Sequence, residues 1–433
     1  MKSLLARALA KPWRVAWLLA ALSLLLRVAL VAEAGRFEMP PRPWDRGYEV
    51  GAVAASLAEG RGFADPFGAA SGPTAAVGPG VAALWALPMS ILGTDGPIAW
   101  AIIVLLDCLA LSLIVPAIFA LGRRVAGERF GLACALAWSI HPMALLLARG
   151  YLSSLAWFAL AVVVVVERML AVEDEGSRPM PRGAAWLSLG LAWGASAWIE
   201  PLLGLIVVTW VGWAFVARRP HARMALRAAL IAGLIVSPWI IRNAIVLRTP
   251  ALRSAAGPEL MLGALAGPGE ETPIRVHPSR NRIELERLQF VGETQFNREK
   301  LAIARRLIAA APARWMASCA WRLGNFWMGR ASWWRASPTQ PIVAGSLSAL
   351  RGLAHAGFAL LAVAGLISAW RTQRATRLLA LVFLLYPLPY AMTHVEARYR
   401  LPIEPLLAVS ACLLLLRIPR VRALLAVGAD TRA

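Results

Sequence analysis

Long apolar runs recur along the whole of this sequence, and short polar stretches rich in arginine separate them. Hydrophobic residues make up 59% of the 433 residues and charged residues only 16%, so water is not the main solvent of this chain. A run of about 20 apolar residues is long enough to cross a bilayer as a helix. Such a helix satisfies its backbone hydrogen bonds within its own segment, as a bilayer requires. The sequence therefore predicts an all-α polytopic membrane protein.

Several of the apolar runs are shorter than a full membrane span. The two runs at 184–198 and 201–217 are predicted to form a hairpin with Glu200-Pro201 at its apex. The complete set of predicted spans covers residues 13–34, 77–93, 97–121, 129–148, 150–167, 184–198, 201–217, a run ending near 238–239, 342–369, 378–393 and 401–418.

Basic clusters set the predicted orientation, because loops rich in lysine and arginine stay in the cytoplasm. Clusters at 218–227, 371–377 and 417–422 are all assigned to the cytoplasmic side. Alternation of the spans then places the long polar region 249–340 and the short loop 394–400 on the outer face.

A further basic cluster, Arg123, Arg124 and Arg129, would lie outside if the runs 77–93 and 97–121 both crossed. We therefore expect one of these two runs not to cross. The result is about ten crossings with both termini inside.

Three parts are expected along the chain. Residues 1–248 form an N-terminal transmembrane module that includes the first periplasmic loop, 35–76. Residues 249–340 form a periplasmic or interfacial segment, and 341–433 form a C-terminal transmembrane module. The apolar element 13–34 is interpreted as an uncleaved signal anchor with its N-terminus in the cytoplasm.

The outer segment has helical patterns of its own. Apolar residues recur at helical spacing through 282–310, among arginines and glutamates, which predicts amphipathic helices. Tryptophans alternate with arginines through 314–334, a composition typical of a helix at the depth of the lipid headgroups.

The composition also excludes several classes of function. The formal net charge of +21 is spread between apolar spans, so we expect anionic membrane lipids as partners and no nucleic acid. The four cysteines form no CxxC pair, which excludes a zinc or disulfide framework. Walker A, HExxH, GxSxG and dinucleotide-binding motifs are also missing. No cofactor is expected, and a divalent metal stays an open alternative.

The first loop carries two acidic residues four positions apart, Asp45 and Glu49, with Tyr48 beside them. On one helix they would share a face, and a carboxylate there could act as a general base. The alternative is that Asp45 only caps the helix that follows. The later run 72–80, rich in proline and glycine, is interpreted as a structural turn into the next span.

Two further polar groups lie at the outer face. Arg242 and Asn243 follow Pro238 and offer donors that could clamp a phosphate, although Arg242 could equally reach lipid headgroups. The loop 390–405 carries His394, Arg398, Tyr399 and Arg400. Positive residues against the orientation rule indicate an anionic ligand. The alternative is a tight loop in which Glu396 and Glu404 neutralise them.

These segments resemble one family. The first loop, from Asp45 and Tyr48-Glu49 to Gly60-Arg61-Gly62-Phe63, and the run 72–80 resemble the first outer loop of bacterial glycosyltransferase family 39 proteins. Segments 237–243, 300–327 and 398–405 resemble later parts of that family. The most specific of these matches is Arg398-Tyr399-Arg400-Leu401-Pro402-Ile403-Glu404-Pro405.

The family belongs to the GT-C superfamily, which includes protein O-mannosyltransferases and lipid A aminoarabinose transferases. The resemblance implies a GT-C bundle of about 10–12 transmembrane helices, with short interfacial helices in its periplasmic loops. It also implies a polyprenyl-phosphate-linked sugar donor and a lipid, glycan or protein acceptor. Transfer would be inverting and would occur on the periplasmic face of the bacterial inner membrane.

The resemblance also implies roles for individual residues. Asp45 would be the first-loop acid that serves as base, with Glu49 as the alternative. Arg398 and Arg400 would neutralise the polyprenyl phosphate, helped by Arg242. The other residues expected at the substrate site are Tyr48, Asn243, His394 and Tyr399. The alternative function is a flippase or transporter of polyprenyl-linked saccharides, which would bind through the same arginines without cleaving the donor.

Overall fold

The computed structural model describes residues 11–68, 70–141, 145, 154–177, 183–270, 273, 276–329 and 343–426. Throughout this part of the chain the secondary structure is α-helix with short 3-10 turns. The only β pairing among these residues is an isolated bridge between Ala64 and Pro73. The predicted all-α fold class is confirmed.

The α-helices are numbered here in chain order. They are α1 Pro12–Glu33, α2 Tyr48–Ala58, α3 Pro79–Leu92, α4 Pro97–Ala126, α5 Glu128–Ser139, α6 Leu155–Gly176, α7 Ala185–Ile199, α8 Leu203–Val216, α9 Ala222–Val246, α10 Ala256–Leu265, α11 Arg282–Val291, α12 Glu293–Ala310, α13 Pro312–Met328, α14 Val343–Ala369, α15 Ala375–Leu385, α16 Leu388–Met392, α17 Glu404–Cys412 and α18 Pro419–Ala426.

Seven helices in the described part of the chain are long and apolar enough to cross a membrane, which makes the protein a multi-pass membrane protein. Shorter apolar helices, among them α3, α7 and α8, account for predicted runs that fall below spanning length. The seven candidate spans are Pro12–Glu33, Pro97–Ala126, Leu155–Gly176, Ala222–Val246, Gly352–Ala369, Ala375–Met392 and Arg398–Arg417.

Contacts at the helix ends distinguish two faces of the bundle. At the face that we call inner, Arg124 near the end of α4 pairs with Asp174 near the end of α6. At the opposite, outer face, the indole of Trp100 in the first turn of α4 donates to the carbonyl of Arg36, just after α1. Helices α1 and α4 therefore run between the two faces, and the arginines at the end of α4 lie on the face that we call inner.

Helix α3 does not run between the faces. After its C-terminus, the Thr94 hydroxyl donates to Glu59 over 3.1 Å, and Asp95 pairs with Arg46 of the first loop. The start of α3, at Gly78, packs against the last residues of α7. Fourteen residues rise only about 21 Å as a helix, less than the roughly 30 Å of a bilayer core. One of the runs 77–93 and 97–121 was expected not to cross, and these contacts single out 77–93.

Helix α9 continues past the point where the sequence predicted a span to end. Pro238 lies inside the helix, which runs on to Val246. Proline has no backbone N–H, so the carbonyl of Leu234 loses its normal helical donor. The hydroxyl of Ser237 donates to that carbonyl over 2.8 Å, which compensates for the missing bond. The prediction that the helix ends near Pro238 is corrected on this ground.

The centre of the bundle is close-packed around α4, α5, α6 and α17. Helices α4 and α5 approach each other closely through glycines: a Cβ added at Gly131 would lie 2.6 Å from the carbonyl oxygen of Phe119. Small residues of this kind allow helix backbones to come together in a membrane.

The amphipathic pattern through 282–310 is present as two helices, α11 and α12. They break at Gly292, whose φ is +77°, a conformation that glycine adopts without strain. Lys300 of α12 pairs with Glu284 of α11, so the two helices pack side by side. The predicted Trp/Arg helix corresponds to α13 as far as Met328, and its residues 330–334 lie outside the described residues. The division into three parts stays a prediction.

Candidate functional site

The first loop and the C-terminal outer loop meet at the outer face. The Arg398 guanidinium lies 5.6 Å from the ring centroid of Tyr48. Tyr48 in turn contacts Trp44, with ring centroids 5.8 Å apart. A cation over an aromatic face is an attractive arrangement. Two segments about 350 positions apart in the sequence are therefore in direct contact.

The first loop requires a glycine at position 47, between Asp45 and Glu49. Gly47 has φ +103° and Tyr48 has φ +55°. A Cβ on Gly47 would lie 2.2 Å from the Trp85 ring, so only glycine fits there. Asp45 ends a short 3-10 helix, whereas Glu49 lies in the first turn of α2.

The expectation that Asp45 and Glu49 share one helix face is therefore corrected, because two residues with positive φ separate them. Asp45 is exposed and Glu49 is half-buried. Neither carboxylate makes a hydrogen bond or an ion pair within the described residues. Both carboxylates keep their acceptor positions open, as a general base requires.

The C-terminal loop presents its polar side chains on a 3-10 helix, Ala397–Ile403. Arg398 pairs with Glu396 over 2.8 Å and also lies 5.6 Å from the centroid of the Tyr399 ring. The hydroxyl of Tyr399 lies 2.7 Å from Nε2 of His394. The structure therefore brings together Tyr48, His394, Arg398 and Tyr399, all of which the sequence predicted as site residues.

One acidic residue of this cluster was not predicted. Glu259 of α10 lies 2.9 Å from Nδ1 of His394. Burial works to raise the pKa of Glu259, but the facing His394 lowers it to about 2. Burial likewise works to lower the pKa of His394, but Glu259 raises it above its ordinary value. We call Tyr48, Glu259, His394, Arg398 and Tyr399 the outer-face cluster.

Arg400 is not part of the outer-face cluster. Its side chain is 1% exposed and pairs with Glu404 over 2.6 Å. A second guanidinium nitrogen donates to the carbonyl of Trp327 over 3.0 Å. The predicted phosphate contact of Arg400 is not supported by this geometry, because the guanidinium is enclosed within the bundle. The alternative interpretation, pairing with Glu404, describes what the structure shows.

Arg242 and Asn243 hold loops in place. The two terminal nitrogens of Arg242 donate to the carbonyls of Thr74 and Phe63, over 2.7 and 2.9 Å. Asn243 is buried and its amide donates to the carbonyl of Ala251 over 2.8 Å. Both residues thus fix the outer loops around the end of α9. Neither of them is directed toward the outer-face cluster through these bonds.

A buried carboxylate anchors the end of the first loop. Glu293 of α12 accepts hydrogen bonds from the hydroxyls of Thr74 and Ser254 and from the backbone N–H of Ala75 over 2.7 Å. Burial raises the pKa of Glu293 above its ordinary value, although these donors work against the rise. Thr74 is held from two sides, because its carbonyl also accepts from Arg242.

The residues that sequence reasoning missed all lie in the outer segment. Glu259, Glu293 and Arg253 each bond to a part of the chain far away in the sequence, and none stands in a recognisable motif. Arg253 shows the pattern well: it pairs with Glu200 at the hairpin apex over 2.5 Å. The Glu200-Pro201 turn was visible in the sequence, but its partner was not.

Possible metal-ligating side chains are not grouped together in the part of the chain that is described. Within it, no group of three or more His, Cys, Asp or Glu side chains is placed to hold a metal ion.

The fold described above is similar to that of solved structures. The fold is similar to the archaeal oligosaccharyltransferase AglB from Archaeoglobus fulgidus in complex with an inhibitory peptide and a dolichol-phosphate. That similarity has a TM-score of 0.56 and 14% identity, and covers 96% of this chain and 52% of AglB. An Archaeoglobus fulgidus oligosaccharyltransferase in complex with Zn and sulfate gives a TM-score of 0.53 at 17% identity, covering 95% of this chain and 50% of that chain.

This chain therefore spans about half of the length of that enzyme. ArnT from Cupriavidus metallidurans bound to undecaprenyl phosphate gives a TM-score of 0.41 at 14% identity, covering 93% of this chain and 78% of ArnT. That score is too low to establish a common fold. No family model matches the sequence, and no curated protein matches it.

Proposed function

We propose that this chain is a membrane-embedded glycosyltransferase. It would transfer a sugar from a polyprenyl-phosphate donor to an acceptor hydroxyl or phosphate on the periplasmic face of a bacterial inner membrane. The observation that supports this most directly is the contact of Arg398 with Tyr48, 5.6 Å from guanidinium to ring centroid. It brings a cation of the C-terminal loop into contact with Tyr48, the first-loop residue that precedes Glu49.

Arg398 is the cation best placed for the donor phosphate. Its side chain is 22% exposed, whereas that of Arg400 is enclosed. A guanidinium can hold two phosphate oxygens at once. Because the donor phosphate gains charge as its bond to the sugar breaks, a fixed cation stabilises the transition state more than the ground state.

The proposed reaction needs one base. The acceptor oxygen attacks the anomeric carbon of the sugar while the carbon–oxygen bond to the phosphate breaks, so the polyprenyl phosphate leaves with the electron pair. Asp45 or Glu49 takes the proton of the acceptor hydroxyl. Attack from the side opposite the phosphate inverts the anomeric centre. Apolar helices around the lipid tail would hold the phosphate at the interface, which converts binding energy into position.

The test is transfer by the purified protein in lipid nanodiscs, with radiolabelled sugars linked to undecaprenyl phosphate. Asp45→Asn or Glu49→Gln should lower the rate by about 10²–10⁴-fold at the true base, with donor binding retained. The matched control is Glu38→Gln, an exposed acid of the same loop, which should transfer at the normal rate. Full activity of the double variant would exclude both bases.

Arg398 is tested in the same assay. Arg398→Gln should lower transfer by about 10²–10³-fold, while Arg42→Gln, an exposed first-loop arginine, should not. If the wild-type protein binds the donor and moves it across the bilayer without cleaving it, the transporter alternative replaces the enzyme.

A further inference from the structure

Helix α10 is fixed firmly beside the C-terminal outer loop. The backbone N–H of Gly257 donates to the Asn297 side chain over 2.6 Å. At the other end of α10, a Cβ on Gly263 would lie 2.4 Å from the carbonyl oxygens of Met392 and Thr393. These contacts lie on either side of Glu259. The carboxylate therefore reaches His394 from a rigid position.

Arg322 of α13 strengthens this attachment. It is 6% exposed and donates to the carbonyl of Ala391 over 2.7 Å. Its other terminal nitrogen donates to the carbonyls of Gly263 and Ala266 at the end of α10. One guanidinium thus joins α10 to the residues just before His394. These hydrogen bonds of Arg322 have no direct part in the proposed chemistry. Their effect is to fix the position of Glu259 beside His394.

We propose that Glu259 is a positioning residue: by keeping His394 protonated, it directs the hydroxyl proton of Tyr399 away from His394 and toward an anionic ligand held by Arg398. The inference rests on the proposed function, since the anion is the phosphate of the lipid-linked donor. It adds to that function Glu259, a residue of the outer segment that acts through His394 and Tyr399.

The number of hydrogens on the His394 ring decides which way the Tyr399 hydroxyl points. A protonated imidazole carries a hydrogen on both ring nitrogens, so His394 keeps its ion pair with Glu259 on the Nδ1 side and donates to Tyr399 from Nε2. The Tyr399 hydroxyl, 2.7 Å away, then acts as the acceptor, and its own proton points elsewhere. A neutral His394 that keeps its proton on Nδ1 has a lone pair at Nε2, and Tyr399 must then donate to it.

The surrounding charges favour the protonated form of His394. Glu259 faces it from α10 and Glu396 lies on its own loop, and both raise the pKa of His394. Burial and Arg398 work against them, but the pKa is raised overall. Further charged groups near Glu259 are His277 and Arg253. Because the folded-state pKa is raised, the arrangement is complete at low pH and is lost as the pH rises through that value.

The inference is tested by binding of undecaprenyl phosphate to the full chain in nanodiscs, measured from pH 5.5 to 8.5. Glu259→Gln lowers the pKa of His394, so it should weaken binding about two- to tenfold near pH 7.5, the worth of one hydrogen bond. The difference from wild type should narrow at pH 5.5. Glu270→Gln, an exposed acid of the same segment, is the matched control and should follow the wild-type curve.

A double variant separates positioning from general support. In a Tyr399→Phe background, which lacks the hydroxyl, Glu259→Gln should cause no further loss. An equal loss in both backgrounds would overturn the inference, and so would a Glu259→Gln curve identical to wild type. If the wild-type protein itself fails to bind undecaprenyl phosphate, it is the proposed function that fails.

A second measurement follows the titration of His394 itself in the wild-type protein. NMR of ¹⁵N-labelled histidine side chains in the wild-type protein should show a signal for His394 that titrates above the ordinary value of about 6.5. Loss of that signal in His394→Gln assigns it. A His394 that titrates at or below that value would contradict the proton order proposed here.

Discussion

Gly47→Ala tests whether the first loop is built as described. A non-glycine residue in the left-handed region costs about 1–2 kcal/mol, and the φ of Gly47 is +103°. The added Cβ would also lie 2.2 Å from the buried ring of Trp85, and overpacking of this kind costs about 1–3 kcal/mol. We therefore expect a total loss of about 2–5 kcal/mol.

The chain offers a matched control. Gly60 has φ +78° and no atom within 4 Å of an added Cβ, so Gly60→Ala should lose only the backbone part, about 1–2 kcal/mol. The assay is thermal unfolding in detergent followed by tryptophan fluorescence. For a chain of this size, each kcal/mol corresponds to a Tm shift of about 1–2 °C. Gly47→Ala should therefore melt several degrees below Gly60→Ala.

A second variant isolates the steric contribution. Trp85→Leu removes the ring that the new methyl group would strike, so Gly47→Ala should cost less in that background than in the wild type. The expected coupling is about 1–3 kcal/mol in a double-mutant cycle. If Gly47→Ala and Gly60→Ala melt together, or if the cycle shows no coupling, the close approach of Gly47 to Trp85 is refuted.

Two further predictions concern buried charges. The pKa of Glu293 is raised, so the folded protein binds the proton of this carboxyl more tightly than the unfolded chain does. The contribution of Glu293 to stability is therefore present at low pH and is lost as the pH rises through the folded-state pKa. The Tm of wild type minus that of Glu293→Gln should therefore be larger at pH 5 than at pH 8. Arg400→Ala should cost about 3–5 kcal/mol, because it leaves Glu404 buried without its partner, whereas the double variant Arg400→Met, Glu404→Leu should recover most of the loss.

Each of these two predictions has its own contradicting result. For Glu293, a Tm difference that does not change with pH would show that its carboxylate is not buried as described. For the Arg400–Glu404 pair, a double variant less stable than Arg400→Ala would show that the pair is needed for stability. Lys300→Met serves as a comparison. It also removes the buried partner of an acid, Glu284, but at the outer face and not inside the bundle.

Most of the fold could be predicted from local features of the sequence. Apolar length predicts spans, and the arginine clusters predict faces, so the common face of Arg398 and Tyr48 followed from the two together. The same reasoning indicated that one of two runs near Arg123 does not cross, and the contacts of Asp95 and Thr94 identify it as α3.

Other features could not be predicted, because they depend on contacts between distant parts of the chain. A four-residue spacing put Asp45 and Glu49 on one helix face, but the packing of Gly47 against Trp85 breaks that helix. Arg400 carries the same charge as Arg398, and only the fold shows that it is enclosed with Glu404. Glu259 had no signal in the sequence.

The position of the phosphate in a bound donor tests most directly whether Arg398 holds it. The measurement is a cryo-electron microscopy structure of the protein in nanodiscs with undecaprenyl phosphate. We expect phosphate density at hydrogen-bonding distance, about 2.7–3.2 Å, from the guanidinium of Arg398, on the side that faces Tyr48 and the first-loop acids. Phosphate density at the inner face, or at the outer face but away from Arg398, would contradict it.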